Sequence, residues 1–258
     1  MKERILFNEC PLCQSDSFVE LHTANCSAHD CYHPSLSPLI KWMQCNDCTH
    51  IFTEGYYSDE ACQLIYSKIH PHQQLGYNIE GQRIISARMI EKVLPYANSG
   101  YWLDVGFGSG SLIFTALEYG FTPIGLDLRT ENTEQLSSFG IEAYALDISD
   151  LTLPYKCNVI SMADVLEHIP YPKKALQAAH RLLNNEGVLF ISMPNIESLI
   201  WAAMNQSNVN TYWAEMEHYH NFGRSRLYAL LNELGFEPIR YGISERYRSC
   251  MEVIAKKA

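Results

Sequence analysis

The segment Leu103-Asp104-Val105-Gly106-Phe107-Gly108-Ser109-Gly110 constrains this chain more than any other. A short apolar run enters a loop with glycine at every second position. Glycine turns tightly and lets a ligand approach the backbone with no Cβ in the way. A strand that ends in such a loop and opens a helix is the nucleotide-cradling corner of an α/β sheet. A dinucleotide fingerprint needs the pattern G-x-G-x-x-G. Here Gly106 and Gly108 fit, but its third position is Ser111 and the extra glycine falls early, at Gly110. Asp104, just before the loop, would repel a pyrophosphate and tolerate a cationic ligand.

Strands and helices alternate after residue 81, which predicts a doubly wound, mostly parallel sheet with an antiparallel last strand, a Rossmann-like α/β architecture. An amphipathic helix over 81–94 carries Ile84, Ile85, Met89, Ile90 and Val93 on one face. Strands follow at Tyr101 to Val105, Pro123 to Asp127, Ala143 to Leu146 and Val159 to Met162. Leu182 to Asn195 reads as the end of a helix, a turn at Asn185-Glu186-Gly187 and a fifth strand. A helix near Ser225 to Leu234 and a final hairpin, Pro238 to Ile243 with Ser249 to Ala255, close the chain. Asp127 ends the second strand about 20 residues after the glycine loop, where a carboxylate can accept both hydroxyls of an adenosine ribose.

Together, Asp104-Val105-Gly106-Phe107-Gly108-Ser109-Gly110, Gly125-Leu126-Asp127-Leu128, Asp147-Ile148 and Ala163-Asp164-Val165-Leu166-Glu167-His168-Ile169 resemble the ordered motifs of the class I S-adenosylmethionine-dependent methyltransferases, over about residues 80–258. The last stretch is similar to the subset containing ubiquinone-type O-methyltransferases and sugar C-methyltransferases. The resemblance implies S-adenosylmethionine as cofactor. It sets Asp104, Gly106, Phe107, Gly108 and Gly110 around the methionine end, and Asp127 and Leu128 at the ribose. Asp147 and Ile148 fall at the adenine, and Ala163 and Asp164 form the floor facing the transferred methyl. The family's usual Pro-Gly-Gly turn is replaced here by Asn185-Glu186-Gly187.

Seven of the nine cysteines lie in the first 62 residues. Cys10-x-x-Cys13 and Cys45-x-x-Cys48 are a pair of knuckles suited to one tetrahedral zinc ion. Four thiolates leave no open position on the metal, so the role expected is structural. The predicted organisation is a zinc-ribbon-like module over 1–55, a Tyr-rich connector over 56–80 (Tyr56, Tyr57, Tyr66, His70, His72, Tyr77) and the methyltransferase domain over 81–258. Cys26, His29, Cys31 and His33 leave a second metal site open. The first residues lack the apolar run of a signal peptide and no segment approaches a transmembrane length, so a cytoplasmic location without membrane contact is expected.

Methyl transfer to a hydroxyl or an acidic carbon gains from a base titrating near neutrality, which suits histidine. His168 follows the fourth strand. His218 and His220 sit in the aromatic stretch Trp213-Ala214-Glu215-Met216-Glu217-His218-Tyr219-His220, and Glu217 could orient His218. Each of the three histidines is a candidate base. The expected acceptor is a small molecule, a nucleotide-linked sugar or a phenolic or polyketide-like hydroxyl. The formal net charge of −10 disfavours nucleic acid as partner. Two other readings are a non-catalytic zinc-ribbon binding protein that retains cofactor and an RNA-modifying methyltransferase. The oligomeric state is not readable from the residues.

Overall fold

A computed structural model describes residues 3–66 and 73–258. Of the expected connector, His70 and His72 lie outside the described residues. The chain divides into two compact units: Met1–Ile69 with Glu167–Lys173 and Pro194–Tyr228, and His70–Leu166 with Lys174–Met193 and Ala229–Ala258. The segment read as 1–55 thus belongs to a unit that also takes in two later stretches.

In the first unit, β1 (Arg4–Leu6) pairs antiparallel with β5 (Gly55–Tyr57), which leads into helix α1 (Asp59–Tyr66). A four-stranded antiparallel sheet contains β2 (Phe18–Asn25), β3 (Leu39–Cys45), β4 (Ile51–Thr53) and β11 (His220–Asn221). The remote strand β11 joins by pairing His220 with Phe52 and Asn221 with Ile51. Trp42, Ile40 and Met216 are fully buried in the core that this pairing helps to close. The Trp42 indole donates to the Trp213 carbonyl at 2.8 Å, so the aromatic stretch before β11 is tied to the sheet.

The second unit is built on a seven-stranded sheet in the order β12-β13-β10-β9-β6-β7-β8. Its strands are β6 (Gly100–Val105), β7 (Phe121–Leu126), β8 (Glu142–Tyr144), β9 (Cys157–Ala163), β10 (Leu183–Pro194), β12 (Phe236–Ile243) and β13 (Cys250–Lys257). The pairs β6–β7, β6–β9, β7–β8 and β9–β10 are parallel, and β12–β13 is antiparallel. The continuous apolar stretches of β6, β9 and β10 are what strands covered on both faces require. Helix α2 (Ile79–Val93) buries Ser86, Met89, Ile90 and Val93. Of the face expected for 81–94, Ile85 is only partly buried and Ile84, 59% exposed, points to the other side, its place in the core taken by Ser86.

One expected element differs. The turn Asn185-Glu186-Gly187 lies inside β10, where the register breaks between Leu183 (opposite Cys157) and Val188 (opposite Val159). Pairing resumes on both sides of this irregularity, and the Asn184 side chain caps the Glu186 amide at 3.0 Å. Strand order reverses at β6, with β7 on one side and β9 on the other. Ligands of open parallel sheets bind at the carboxyl ends of strands flanking such a switch point.

Candidate active site

The glycine loop leaves the carboxyl end of β6 and enters α3 (Ser111–Glu118). Gly106, Gly108 and Gly110 have φ of 66°, 52° and 78°, the left-handed region glycine is needed for. A Cβ on Gly106 would stand 2.8 Å from Val165. On Gly108 the nearest atom would be 3.9 Å away, so that side of the loop is open to a ligand. Asp104 is buried beneath the loop, where the Ser161 hydroxyl donates to its Oδ1 at 2.6 Å and takes a hydrogen bond from the Trp102 indole at 2.8 Å. Burial raises the Asp104 carboxyl to about 6, partly offset by Ser161 and by the Arg246 charge. Phe107 is buried in the same loop.

Asp127, also buried, directly follows β7, which stops one residue short of the expected end, and the Gly108 amide donates to its Oδ2 at 3.4 Å. A group the sequence reading missed is Arg129, whose Nε and terminal nitrogen grip the two Asp127 oxygens at 2.8 and 2.7 Å. A lone arginine two residues after Asp127 carries no motif that would have revealed it. Leu128 is 75% exposed, so its side chain offers apolar surface next to Asp127. Asp147 is exposed and closes a turn by accepting from the Ser149 amide at 2.8 Å, while Ile148 is buried beside it. Ala163 ends β9, and Asp164 follows at φ 58°, an uncommon backbone for a non-glycine residue. The Ser192 carbonyl takes the Asp164 amide and the Ser192 hydroxyl donates to Asp164 Oδ1, both at 2.8 Å. The glycine loop, Asp104, Asp127, Ala163 and Asp164 therefore all lie at the carboxyl ends of β6, β7 and β9.

In the first unit, the sulfurs of Cys10, Cys13, Cys45 and Cys48 all lie within 4.8 Å of one another. Cys10 and Cys48 are 3.6 Å apart and Cys13 and Cys45 3.5 Å, as free thiols. A zinc–sulfur bond of about 2.3 Å gives a tetrahedral sulfur–sulfur edge of roughly 3.8 Å, so the four donors fit one ion. The two knuckles share their backbone. Gln14 and Thr49 both have positive φ, and their amides close onto the carbonyls of Cys10 and Cys45. Among the described residues, Cys26, His29, Cys31 and His33 form no such cluster: Cys26 bonds to the Pro38 carbonyl and His33 accepts from the Ser35 amide.

His29 instead joins Glu215 and Glu217, and Glu167, His168 and His218 form a second group with ligand-type atoms within 4.8 Å. His168 Nδ1 donates to the Glu217 carbonyl at 2.9 Å. The His218 ring stands edge-on to His168 at 4.6 Å, and its buried Nδ1 has no hydrogen-bond partner among the described residues. Burial, aided by the His168 charge, pulls His218 down to about 3 and keeps it neutral near pH 7. Hydrogen bonds to Cys31 and Glu215 raise His29 to about 10. Burial opposes ionisation of Glu215, yet its hydrogen bond from His29 draws it down to about 2, pairing the two beside the neutral His218. His220 is engaged at both nitrogens, through Nε2 to the Ile169 carbonyl and Nδ1 to His50, each at 3.0 Å.

The methyltransferase domain family matches residues 80–241, well over half of the chain. The chain belongs to the class I S-adenosylmethionine-dependent methyltransferases. A ubiquinone biosynthesis O-methyltransferase of Haemophilus ducreyi (strain 35000HP / ATCC 700724) is 32% identical over 105 residues, 36% of this chain and 44% of that protein. Its counterpart in Pseudomonas syringae pv. tomato is 32% identical over 101 residues, with 36% and 44% covered. The match thus spans less than half the length of these curated relatives. Two solved structures share the fold. One is the 1,6-didemethyltoxoflavin-N1-methyltransferase of Burkholderia thailandensis, with TM-score 0.57, 17% identity and 83% of this chain and 97% of that chain covered. The other is the magnesium protoporphyrin IX methyltransferase of Synechocystis PCC 6803, with TM-score 0.55, 16% identity and 70% and 84% covered. The Rossmann-like fold and the family expected from the glycine loop and the strand-end acids are borne out. Among the described residues, no helix of this methyltransferase is long and apolar enough to cross a membrane.

Proposed function

We propose that this chain transfers the methyl group of S-adenosylmethionine to a small-molecule acceptor and carries one structural zinc on Cys10, Cys13, Cys45 and Cys48. The observation that carries the cofactor reading is the open glycine loop flanked by Asp104, Asp127, Ala163 and Asp164 at the switch point of the sheet. In this reading Asp127 accepts the ribose hydroxyls with Leu128 beside it, Ile148 borders the adenine, Asp147 accepts from its amino group, and Asp104 lies under the sulfonium end. A bound S-adenosylmethionine supplies an activated methyl group. The protein's part is to hold the acceptor in line with it, and placement alone can account for most of the acceleration.

We assign the acceptor proton to His218, whose buried Nδ1 has no hydrogen-bond partner among the described residues. Burial draws it to about 3, below the near-neutral value that suits a base, so it takes the proton only from an acceptor that ionises readily. His168 is fixed in one tautomer by the Glu217 carbonyl and stands ready to pass the proton on; Glu167 and His168 follow Asp164 by three and four residues along the chain. His220, with both nitrogens engaged, keeps a supporting role. The name of the curated relatives favours an oxygen nucleophile, as in a phenolic or polyketide-like hydroxyl. The knuckle pair, through its resemblance to zinc-bearing sugar C-methyltransferases, favours a nucleotide-linked sugar. Screening both classes with methyl-labelled cofactor decides the acceptor; H218N is expected to keep cofactor binding and lose label transfer, and unchanged transfer would remove His218 from the reaction.

A second reading of the same cluster rests on its donor set. Two histidines and a carboxylate within 4.8 Å suit a divalent cation, and a carbonyl on the far nitrogen of His168 is the usual partner of a metal-binding imidazole. Turnover that rises on adding Mg2+ or Mn2+ favours the cation, and turnover indifferent to either favours the proton relay. The acidic balance weighs against an RNA acceptor. Micromolar tRNA binding that falls steeply with salt would restore that alternative.

A further inference from the structure

The turn joining β12 to β13 is held unusually firmly for a surface connection. The Ser244 amide bonds to the Cys250 carbonyl at 3.0 Å and the Glu245 amide to Glu252 Oε1 at 2.8 Å. The Glu245 carboxylate is paired with Lys92 at 2.7 Å, and Lys92 also holds the buried Glu252 at 2.5 Å. The Ser244 hydroxyl accepts from the Arg246 amide at 3.2 Å and lies 3.2 Å from the Ser192 hydroxyl, which in turn fixes Asp164. This scaffold presents one side chain, Arg246, at the carboxyl end of β9. One of its terminal nitrogens contacts the Ala163 carbonyl at 3.3 Å and Asp164 Oδ2 at 3.4 Å.

These contacts are long and use a single nitrogen. Among the described residues, the Arg246 Nε and its other terminal nitrogen make no hydrogen bond, and the side chain is 28% exposed. A guanidinium offers five donors in a fork matched to a carboxylate, so most of its capacity is unspent. Arg129 differs: its Nε and one terminal nitrogen are taken by Asp127, and the other terminal nitrogen by the Gln73 carbonyl at 2.9 Å. Arg246 also acts electrostatically on the buried Asp104 under the glycine loop, opposing the rise that burial causes there. The methionine end of S-adenosylmethionine is a zwitterion. Its ammonium suits the acids at this end of the sheet, Asp104 and Asp164, and its carboxylate needs a cation.

We propose that Arg246 binds the α-carboxylate of the cofactor, aimed by Asp164 and by the clamped turn. The inference rests on S-adenosylmethionine being the cofactor. It makes Arg246 a residue that selects ligands with an intact amino-acid tail from those ending at the thioether.

Calorimetric titration of the full chain with S-adenosylhomocysteine and with 5′-methylthioadenosine, which lacks the amino-acid tail, tests it in wild type, Arg246→Gln and Arg246→Lys. Arg246→Gln is expected to weaken S-adenosylhomocysteine by about tenfold or more, the scale of a lost charge-assisted pair. Methylthioadenosine is expected to stay within about twofold, and Arg246→Lys to recover part of the loss. Unchanged S-adenosylhomocysteine binding in Arg246→Gln overturns the proposal. So does equal weakening of both ligands, which would assign Arg246 a purely structural role at Asp164. Failure of the wild-type chain to bind S-adenosylhomocysteine at all overturns the cofactor reading instead.

Discussion

At the scale of single residues, two carboxylates in similar positions are set up for different work. Asp127 lies just past a strand end, where the Gly108 amide and the Arg129 guanidinium donate to its carboxylate oxygens. Asp104 is sealed under the loop with a serine hydroxyl as its nearest donor, and burial raises it to about 6. Two charge-assisted bonds from ribose hydroxyls to Asp127 contribute about 1.5–3 kcal/mol each. Asp127→Ala is therefore expected to weaken S-adenosylhomocysteine by about a hundredfold or more in equilibrium dialysis; a loss under about tenfold would place the ribose elsewhere. Gly106→Ala meets both a positive φ and Val165 at 2.8 Å. It is expected to lower the melting temperature of the ligand-free chain, and an unchanged melting curve would show that the loop tolerates a side chain.

At the scale of elements, what the sequence made legible is local. The glycine loop, the acids at the ends of β6 and β7 and the C-x-x-C knuckles each declare themselves within a few residues, because φ requirements, strand periodicity and thiolate spacing act over that range. Strand β11 does not: only its pairing with β4, some 170 residues earlier, makes His220–Asn221 a strand. The same long-range closure engages both His220 nitrogens, which no motif could have disclosed. Arg129 and Arg246 stayed hidden because an isolated arginine in a turn acquires meaning only from the carboxylate that folding brings to it.

The knuckles bear a direct test at this scale. One zinc per chain is expected by elemental analysis. Cys48→Ser is expected to lose that zinc together with much of the first unit's stability, since such an ion can supply on the order of 10 kcal/mol of folding free energy. A metal-free wild type with an unchanged melting curve would contradict it.

The first unit also carries a pH signature. His218 and His220 are pulled down by burial to about 3 and about 4 from an ordinary 6.5. Between those values the unfolded chain binds more protons than the folded one, so stability rises with pH across that window. Their contribution is complete above about 6.5 and is lost as pH falls towards 4. The His29–Glu215 pair runs the other way at its basic end: His29, raised to about 10, stabilises fully below 6.5 and loses its contribution as pH rises through 10. Melting temperatures followed from pH 7 to pH 4.5 are expected to fall. A flat profile would mean that His218 and His220 are not buried as neutral imidazoles.

At the scale of the whole molecule, a family match over residues 80–241 and the open glycine loop describe the same ligand from independent directions, one from relatedness and one from backbone geometry. The acidic total of −10 and the strand-end acids favour a cationic sulfonium cofactor and work against a polyanionic acceptor. The most direct test of this account is competitive equilibrium dialysis of the full chain against S-adenosylmethionine and NADH together. The expected result is retention of S-adenosylmethionine, displaced by S-adenosylhomocysteine and abolished in Asp127→Ala, with NADH passing freely. Preferential retention of NADH, or S-adenosylmethionine binding that Asp127→Ala leaves intact, would contradict it.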